Sequence, residues 1–217
     1  MKTDAQLKKD VIAELEWDPA IDATHVGVAV EDGVVQVTGH LGSLAEKGAV
    51  ERAVQRVAGV RAVAVELDIR LAPEHSRDDA QIAAAIETAF RWHAQIPDDR
   101  VQVKVEKGWV TLTGEVDWDF QRHNADLVVR AVSGVRGLSN QATLRPREAP
   151  KYVADRIHDA LVRYAEDEAR GIEIEVRDGT AFLKGRVNAW AERSAAQWAA
   201  LSAPGIARVV NEIEIAP

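Results

Sequence analysis

Asp32-Gly33-Val34-Val35-Gln36-Val37-Thr38-Gly39 recurs as Lys107-Gly108-Trp109-Val110-Thr111-Leu112-Thr113-Gly114 and again as Asp178-Gly179-Thr180-Ala181-Phe182-Leu183-Lys184-Gly185. In each copy two glycines stand six residues apart, and a third follows 20 residues after the second, at Gly59, Gly134 and Gly205. Asp-Gly is the favoured chemistry of a tight two-residue β-hairpin, because glycine takes a positive φ without steric cost. Before the first turn Val26, Val28 and Val30 alternate with Gly27, Ala29 and Glu31. After it Val35 and Val37 keep that phase, so the stretch predicts two antiparallel strands with one buried face.

The flanks repeat with the turn. Residues 4–16 put Leu7, Val11, Ile12 and Leu15 on one helical face and Lys8, Lys9, Asp10 and Glu14 on the other. Residues 43–57 predict a second helix with Leu44, Val50, Ala53, Val54 and Val57 as apolar positions, stopped by Gly59. Val63, Val65, Leu67 and Ile69 then alternate as a third strand. Ile82, Ile86 and Phe90 replace the first helix's apolar face in the second copy, and Val153, Ile157 and Leu161 in the third. Leu138, Asn140, Ala142 and Leu144, and then Val209, Ile213 and Ile215, supply the other third strands.

The expectation is an α+β chain of three tandem αββαβ modules, at 1–72, 77–146 and 149–217. Each is a small mixed three-stranded sheet with two helices on one face. The second helix is the crossover that makes strands two and three parallel. Proline-containing joins at 72–76 and 145–150 favour semi-rigid spacing. Units this short sit near the lower limit for independent folding, so they are expected to pack on one another.

Composition narrows the function. Of the 217 residues 47% are hydrophobic and 29% charged, and the net charge is -8. Residues 1–74 hold 8 Lys and Arg against 13 Asp and Glu, residues 75–147 hold 10 against 10, and residues 148–217 hold 9 against 12. No segment carries the basic stripe of a nucleic-acid binder, and clustered cations for simple adhesion to anionic lipid are missing. Cysteine is absent, which removes disulfides and thiolate metal sites. The polar start Lys2-Thr3-Asp4-Ala5-Gln6 lacks the apolar core of a secretory signal, and no stretch suits a transmembrane span. A cytoplasmic location is expected, with a periplasmic one the alternative for a processed form.

Chemistry is sparse. Gly33, Gly108 and Gly179 read as turn residues, and Gly39, Gly114 and Gly185 as bends into the second helix. No G-x-x-x-x-G-K-[ST] accompanies them, so phosphate-loop chemistry is not indicated. The six histidines, His25, His40, His75, His93, His123 and His158, show no metal-ligand spacing and do not recur between modules. No nucleophile motif appears, so catalytic residues, cofactors and metal ligands are all expected to be none.

Aromatic residues are the better candidates. Trp17 and Trp92 occupy the same place, 16 residues before the turn glycine, where the third module has Arg163 beside Tyr164. They suit two roles, a packing plug at the core edge or an amphipathic anchor at a lipid headgroup surface. Trp109 follows its turn glycine on the face opposite Val110 and Leu112, a side shared by Val34, Thr180 and Phe182. An aromatic among Gln102, Lys104, Thr111, Gln141 and Thr143 on an open sheet predicts a contact surface, favoured here as contact between modules. Trp118, Trp190 and Trp198 fall near the second helices and are expected to help pack them.

The helix, the Asp-Gly or Lys-Gly hairpin, the second glycine and the turns Gly59-Val60-Arg61-Ala62-Val63, Gly134-Val135-Arg136-Gly137-Leu138 and Gly205-Ile206-Ala207-Arg208-Val209 resemble the BON (bacterial OsmY and nodulation) domain family. Asn140 and Asn211 match a position often Asn in that family, and Val65 departs from it. The resemblance spans nearly the whole chain as three tandem modules. It implies a non-enzymatic module that attaches to phospholipid or the cell envelope, linked to osmotic or envelope stress, and it supplies no catalytic or ligand residues. Two other readings stay open. One is a cytoplasmic protein-interaction scaffold whose three similar faces act by avidity. The other is a receptor for a small cation or metabolite, suggested by the acidic first module.

Overall fold

The computed structural model describes residues 2–145, 149–164 and 171–215. The first module runs α1 (Asp4–Trp17), β1 (Val26–Glu31), β2 (Val34–Leu41), α2 (Leu44–Arg56) and β3 (Ala62–Ile69). The second runs α3 (Asp79–Trp92), β4 (Val101–Glu106), β5 (Trp109–Val116), α4 (Asp119–Ala131), β6 (Gly137–Asn140) and β7 (Thr143–Leu144). The third runs α5 (Val153–Tyr164), β8 (Ile172–Arg177), β9 (Thr180–Val187), α6 (Trp190–Leu201) and β10 (Arg208–Ile215). The chain is α+β, with three mixed sheets each built on a central second strand, antiparallel to the first strand and parallel to the third.

Each hairpin turn has both central residues at positive φ: Asp32 at 48° and Gly33 at 74°, Lys107 at 53° and Gly108 at 78°, Asp178 at 48° and Gly179 at 71°. That pair of angles defines the turn whose twist matches the strands beside it. The turn in turn sets the register, Val28 opposite Val37 and Val103 opposite Leu112. The alternating residues therefore reach one face together. There Leu7, Val11, Leu15, Val35, Val37, Val50 and Val54 form the first core. Ile82, Ile86, Phe90, Val110 and Leu112 form the second, and Ile157, Leu161, Ala181, Leu183 and Ile213 the third.

The tip is tied down from the side. The carboxylate of Asp4, in the first turn of α1, accepts the amides of Asp32 at 2.9 Å and Gly33 at 3.2 Å. Asp79 of α3 does the same for Lys107 at 2.7 Å and Gly108 at 2.8 Å. The third module has Pro150 at this position, which carries no carboxylate. Asp79→Ala leaves two turn amides to water alone and is expected to cost about 1–2 kcal/mol, read as a lowered Tm by circular dichroism. An unchanged Tm would mean that solvent replaces the carboxylate fully.

The third strand of the second module departs from the expected continuous strand. β6 and β7 pair with β5 in one register, Trp109 opposite Gly137 and Glu115 opposite Thr143, but Gln141 and Ala142 interrupt the ladder. Asn140 bridges there: its side-chain amide donates to the Arg122 carbonyl at 3.0 Å, and its oxygen accepts the Ala142 amide at 3.2 Å. Asn211 makes the equivalent bonds to the Arg193 carbonyl at 3.1 Å and the Ile213 amide at 3.2 Å. The asparagine thus fastens the second helix to the third strand. Val65 cannot, and in the first module Lys47 Nζ reaches the Leu67 carbonyl at 3.3 Å instead.

The modules pack through their second helices. α2 lies against both α4 and α6, and α4 meets α6 where the His123 and Trp198 rings stand edge to face at 4.4 Å. Leu44, at the start of α2, is buried in the second module's core with Ile82, Ile86 and Phe90. The same surfaces recur at both junctions. Gly42 and Ser43 share a crevice with residues 130–135, and their counterparts Asp117 and Trp118 share one with Leu201, Ala203, Gly205 and Ile206.

Candidate contact surface

Trp17 and Trp92 end the first helices of two modules. In α1 the buried positions are Leu7, Val11 and Leu15, and in α3 they are Ile82, Ile86 and Phe90. Two residues beyond the last of these is about 200° around a helix, on the far side from the core. Both indoles accordingly stand in solvent, Trp17 83% and Trp92 85% exposed. This corrects the packing-plug reading: neither ring closes a core edge.

The end of α1 is fixed by charge. Arg56 of α2 donates from Nε to Glu14 at 2.8 Å and from a terminal nitrogen to Asp18 at 3.1 Å. The amide of Ala20 and then the Arg56 guanidinium hold the Asp18 carboxyl below its usual range, and the two carboxylates in turn raise Arg56. Trp17 is therefore presented from a pinned helix end. In the second module Gln95 accepts from the Asn124 side chain at 2.9 Å and ties the loop after α3 to α4. Arg163 and Tyr164 end the helical backbone of α5, and their side chains lie outside the described residues.

The open sheet faces carry a second set of aromatics. Trp109 is 53% exposed, and its indole lies across Gly137 of the neighbouring strand, where a Cβ would stand 2.2 Å from the ring. Val34 is 42% exposed and Phe182 is half-buried. The expectation that Trp109 joins modules gives way to the arrangement above: the junctions use α2, α4 and α6, while Trp109 covers its own sheet and faces solvent. Trp118 lies at the second junction, Trp198 meets His123, and the Arg193 guanidinium sits 5.5 Å from the Trp190 ring.

One grouping escaped the sequence reading. His25 and His40 stack at 4.4 Å with their planes 18° apart. The hairpin register predicts it, since Val26 faces Gly39 and the next pair outward is His25 with His40. Desolvation, then Arg70 and His25, hold the His40 imidazole below its usual range. Among the described residues no three His, Asp or Glu side chains converge as a metal site. No described helix is long and apolar enough to cross a membrane.

Three sheets on one hairpin pattern, each with two helices on one face, match known modules. The BON domain model matches residues 3–70, 78–146 and 151–217, and the chain belongs to the BON domain family. It is 27% identical over 145 residues to the osmotically-inducible protein Y of Escherichia coli (strain K12), a match covering 63% of this chain and 72% of that protein. Among solved structures it is similar to the C-terminal domain of CdsD, the structural protein of the type III secretion system of Chlamydia trachomatis. That match covers 100% of both chains, with 14% identity and a TM-score of 0.24. A second CdsD structure matches at 15% identity and a TM-score of 0.25, covering 96% of this chain and 91% of that one.

Proposed function

We propose that this chain is a non-catalytic binding protein whose modules, at 1–72, 77–146 and 149–217, associate with a phospholipid surface during osmotic or envelope stress. The observation that carries the reading is the pair of indoles, Trp17 and Trp92, at one repeat position with more than four-fifths of each surface free. A tryptophan of about 150 Å² buried at about 25 cal/mol/Å² gains about 4 kcal/mol before the cost of association. Two anchors on one chain raise the effective affinity further. An indole also suits the headgroup layer, being apolar in body and polar at its N–H. The osmotic part of the reading follows the similarity to osmotically-inducible protein Y. In the cytoplasm the surface is the inner leaflet, and in a processed form it lies in the envelope. The net charge of -8 argues for attachment by apolar contact that persists at physiological salt.

Co-sedimentation with neutral and anionic vesicles, with tryptophan emission read alongside, tests this. The expected result is sedimentation with a blue shift, weakened about tenfold by Trp17→Ala or Trp92→Ala and abolished by the pair. No sedimentation and an unshifted spectrum would overturn the lipid reading and leave the protein-scaffold reading in its place.

A further inference from the structure

The hairpin tip, the start of the first helix and the turn before the third strand enclose a cleft in the first two modules, of about 410 Å³ and about 370 Å³. Six of its positions correspond, and the charge differs at one of them, Asp32 against Lys107. In the first module Lys2 is paired with Asp10 at 2.7 Å, the turn residue is Asp32, and Arg61 faces its carbonyl. In the second module the corresponding residues are Arg77, Lys107 and Arg136. Among the described residues Arg77 donates to the backbone carbonyls of Glu74 and Ser76, at 2.9 and 2.8 Å. Among the described residues, none of these three cations has a carboxylate partner. The single acid of the cleft, Asp79, is engaged by the amides of Lys107 and Gly108. The third module has Pro150, Asp178 and Ala207 in place of Asp79, Lys107 and Arg136, and so lacks the cluster.

Three cations around one concavity repel one another, and a bound anion relieves that repulsion. Two guanidinium forks and one ammonium suit an oxyanion with several acceptor oxygens, since each fork offers paired donors and the ammonium a point charge. The volume is many times the roughly 30 Å³ of a water molecule, so the cleft takes a tetrahedral oxyanion with room for an attached group.

We propose that this cleft in the second module is a phosphate-ester site, held by Arg77, Lys107 and Arg136. The lipid reading above supplies one source for the phosphate, a headgroup, and the inference rests on that reading for the source alone. α3 then carries the phosphate site at its first turn and Trp92 at its last, about 20 Å apart along one helix.

The test titrates the full chain with glycerol 3-phosphate, reading backbone amide shifts. It then repeats the titration on Lys107→Asp and Arg136→Ala, substitutions that install residues other modules carry at those positions. The expected result is saturable shifts centred on Gly108 and Gly134, weakened at least about tenfold in each variant, with Tm unchanged. Unmoved amides, or equal affinity in the variants, would overturn the site whatever the vesicles show. A parallel arm uses phosphatidylglycerol and phosphatidylcholine vesicles. Glycerol 3-phosphate binding with no vesicle binding supports the site and assigns it a free phosphate ester, while the lipid reading falls. Vesicle binding that needs Trp17 and Trp92, with no response to glycerol 3-phosphate, does the reverse.

Discussion

Gly114→Ala is expected to unfold the second module. Gly114 sits at φ +124°, and a Cβ there would lie 2.0 Å from the carbonyl oxygen of Arg100 and 3.1 Å from its carbon. The obstructing atom is backbone, one residue before Val101, which pairs with Gly114 across the hairpin. Relief therefore requires β4 to move away from β5, which breaks the ladder and withdraws Val101, Val103 and Val105 from the core. Both the strained dihedral and the overlap are penalised, at roughly 4 kcal/mol or more together, against the 5–15 kcal/mol that holds an ordinary domain. Gly39 and Gly185 repeat the geometry, each with a carbonyl oxygen 1.9 Å from the added Cβ. Gly27→Ala is the control. There the nearest atom is the Thr38 hydroxyl at 3.1 Å, and the loss should stay within about 1 kcal/mol. Urea unfolding followed by tryptophan emission separates the two variants. A Gly114→Ala protein with wild-type stability would contradict the register of β4 on β5.

The fixed spacing of the repeated glycines made this part of the molecule readable. Turn chemistry sets register, register sets which residues share a face, and that face is the core. The placement of Trp17 and Trp92 was readable by the same geometry, since two residues past Leu15 or Phe90 points away from the sheet. Aromatic size argued for burial, and helical phase overrode it. Leu44 shows where periodicity stops. It marks a buried position on α2, but the core it enters belongs to the second module, and one helix's pattern says nothing about which neighbour covers it. Arg77, Lys107 and Arg136 come together only because hairpin, helix start and turn converge, and each alone reads as solvated charge. Asn140 and Asn211 stood out by residue type, but their bonds to a helix carbonyl need the packed crossover to be seen.

Asp119→Leu is expected to stabilise the protein at neutral pH. Asp119 opens α4 at the junction with the third module, 3% exposed, where the first module has Leu44 and the third Trp190. Its carboxylate is ion-paired with Arg122, which leaves the burial only partly compensated. Desolvation raises its pKa from the ordinary 3.8, with Arg122 and then His123 opposing. Asp117 and Arg145 line the same crevice, and Asp117 is paired with Arg100 at 2.8 Å and with Arg145 at 3.3 Å. A carboxyl whose folded pKa is raised binds its proton more tightly when folded. The stability linked to that proton is full below the unfolded value and is lost as pH rises through the folded one, so at pH 7 the buried charge is a cost. Leucine removes that cost and restores the apolar contact of the first junction. Arg122 is 35% exposed and can return to water, so no buried charge is stranded. It is also freed to tie α4 to the third strand, as Arg193 does through the Ile213 carbonyl at 3.0 Å. The gain at pH 7 should be about 1–3 kcal/mol, a rise in Tm of several degrees, and it should shrink toward pH 4 as the wild-type carboxyl takes up its proton. Urea unfolding of both proteins at the two pH values reads the difference directly. A variant less stable than wild type at pH 7, with the deficit vanishing in acid, would make the Asp119–Arg122 pair a net clamp between the modules.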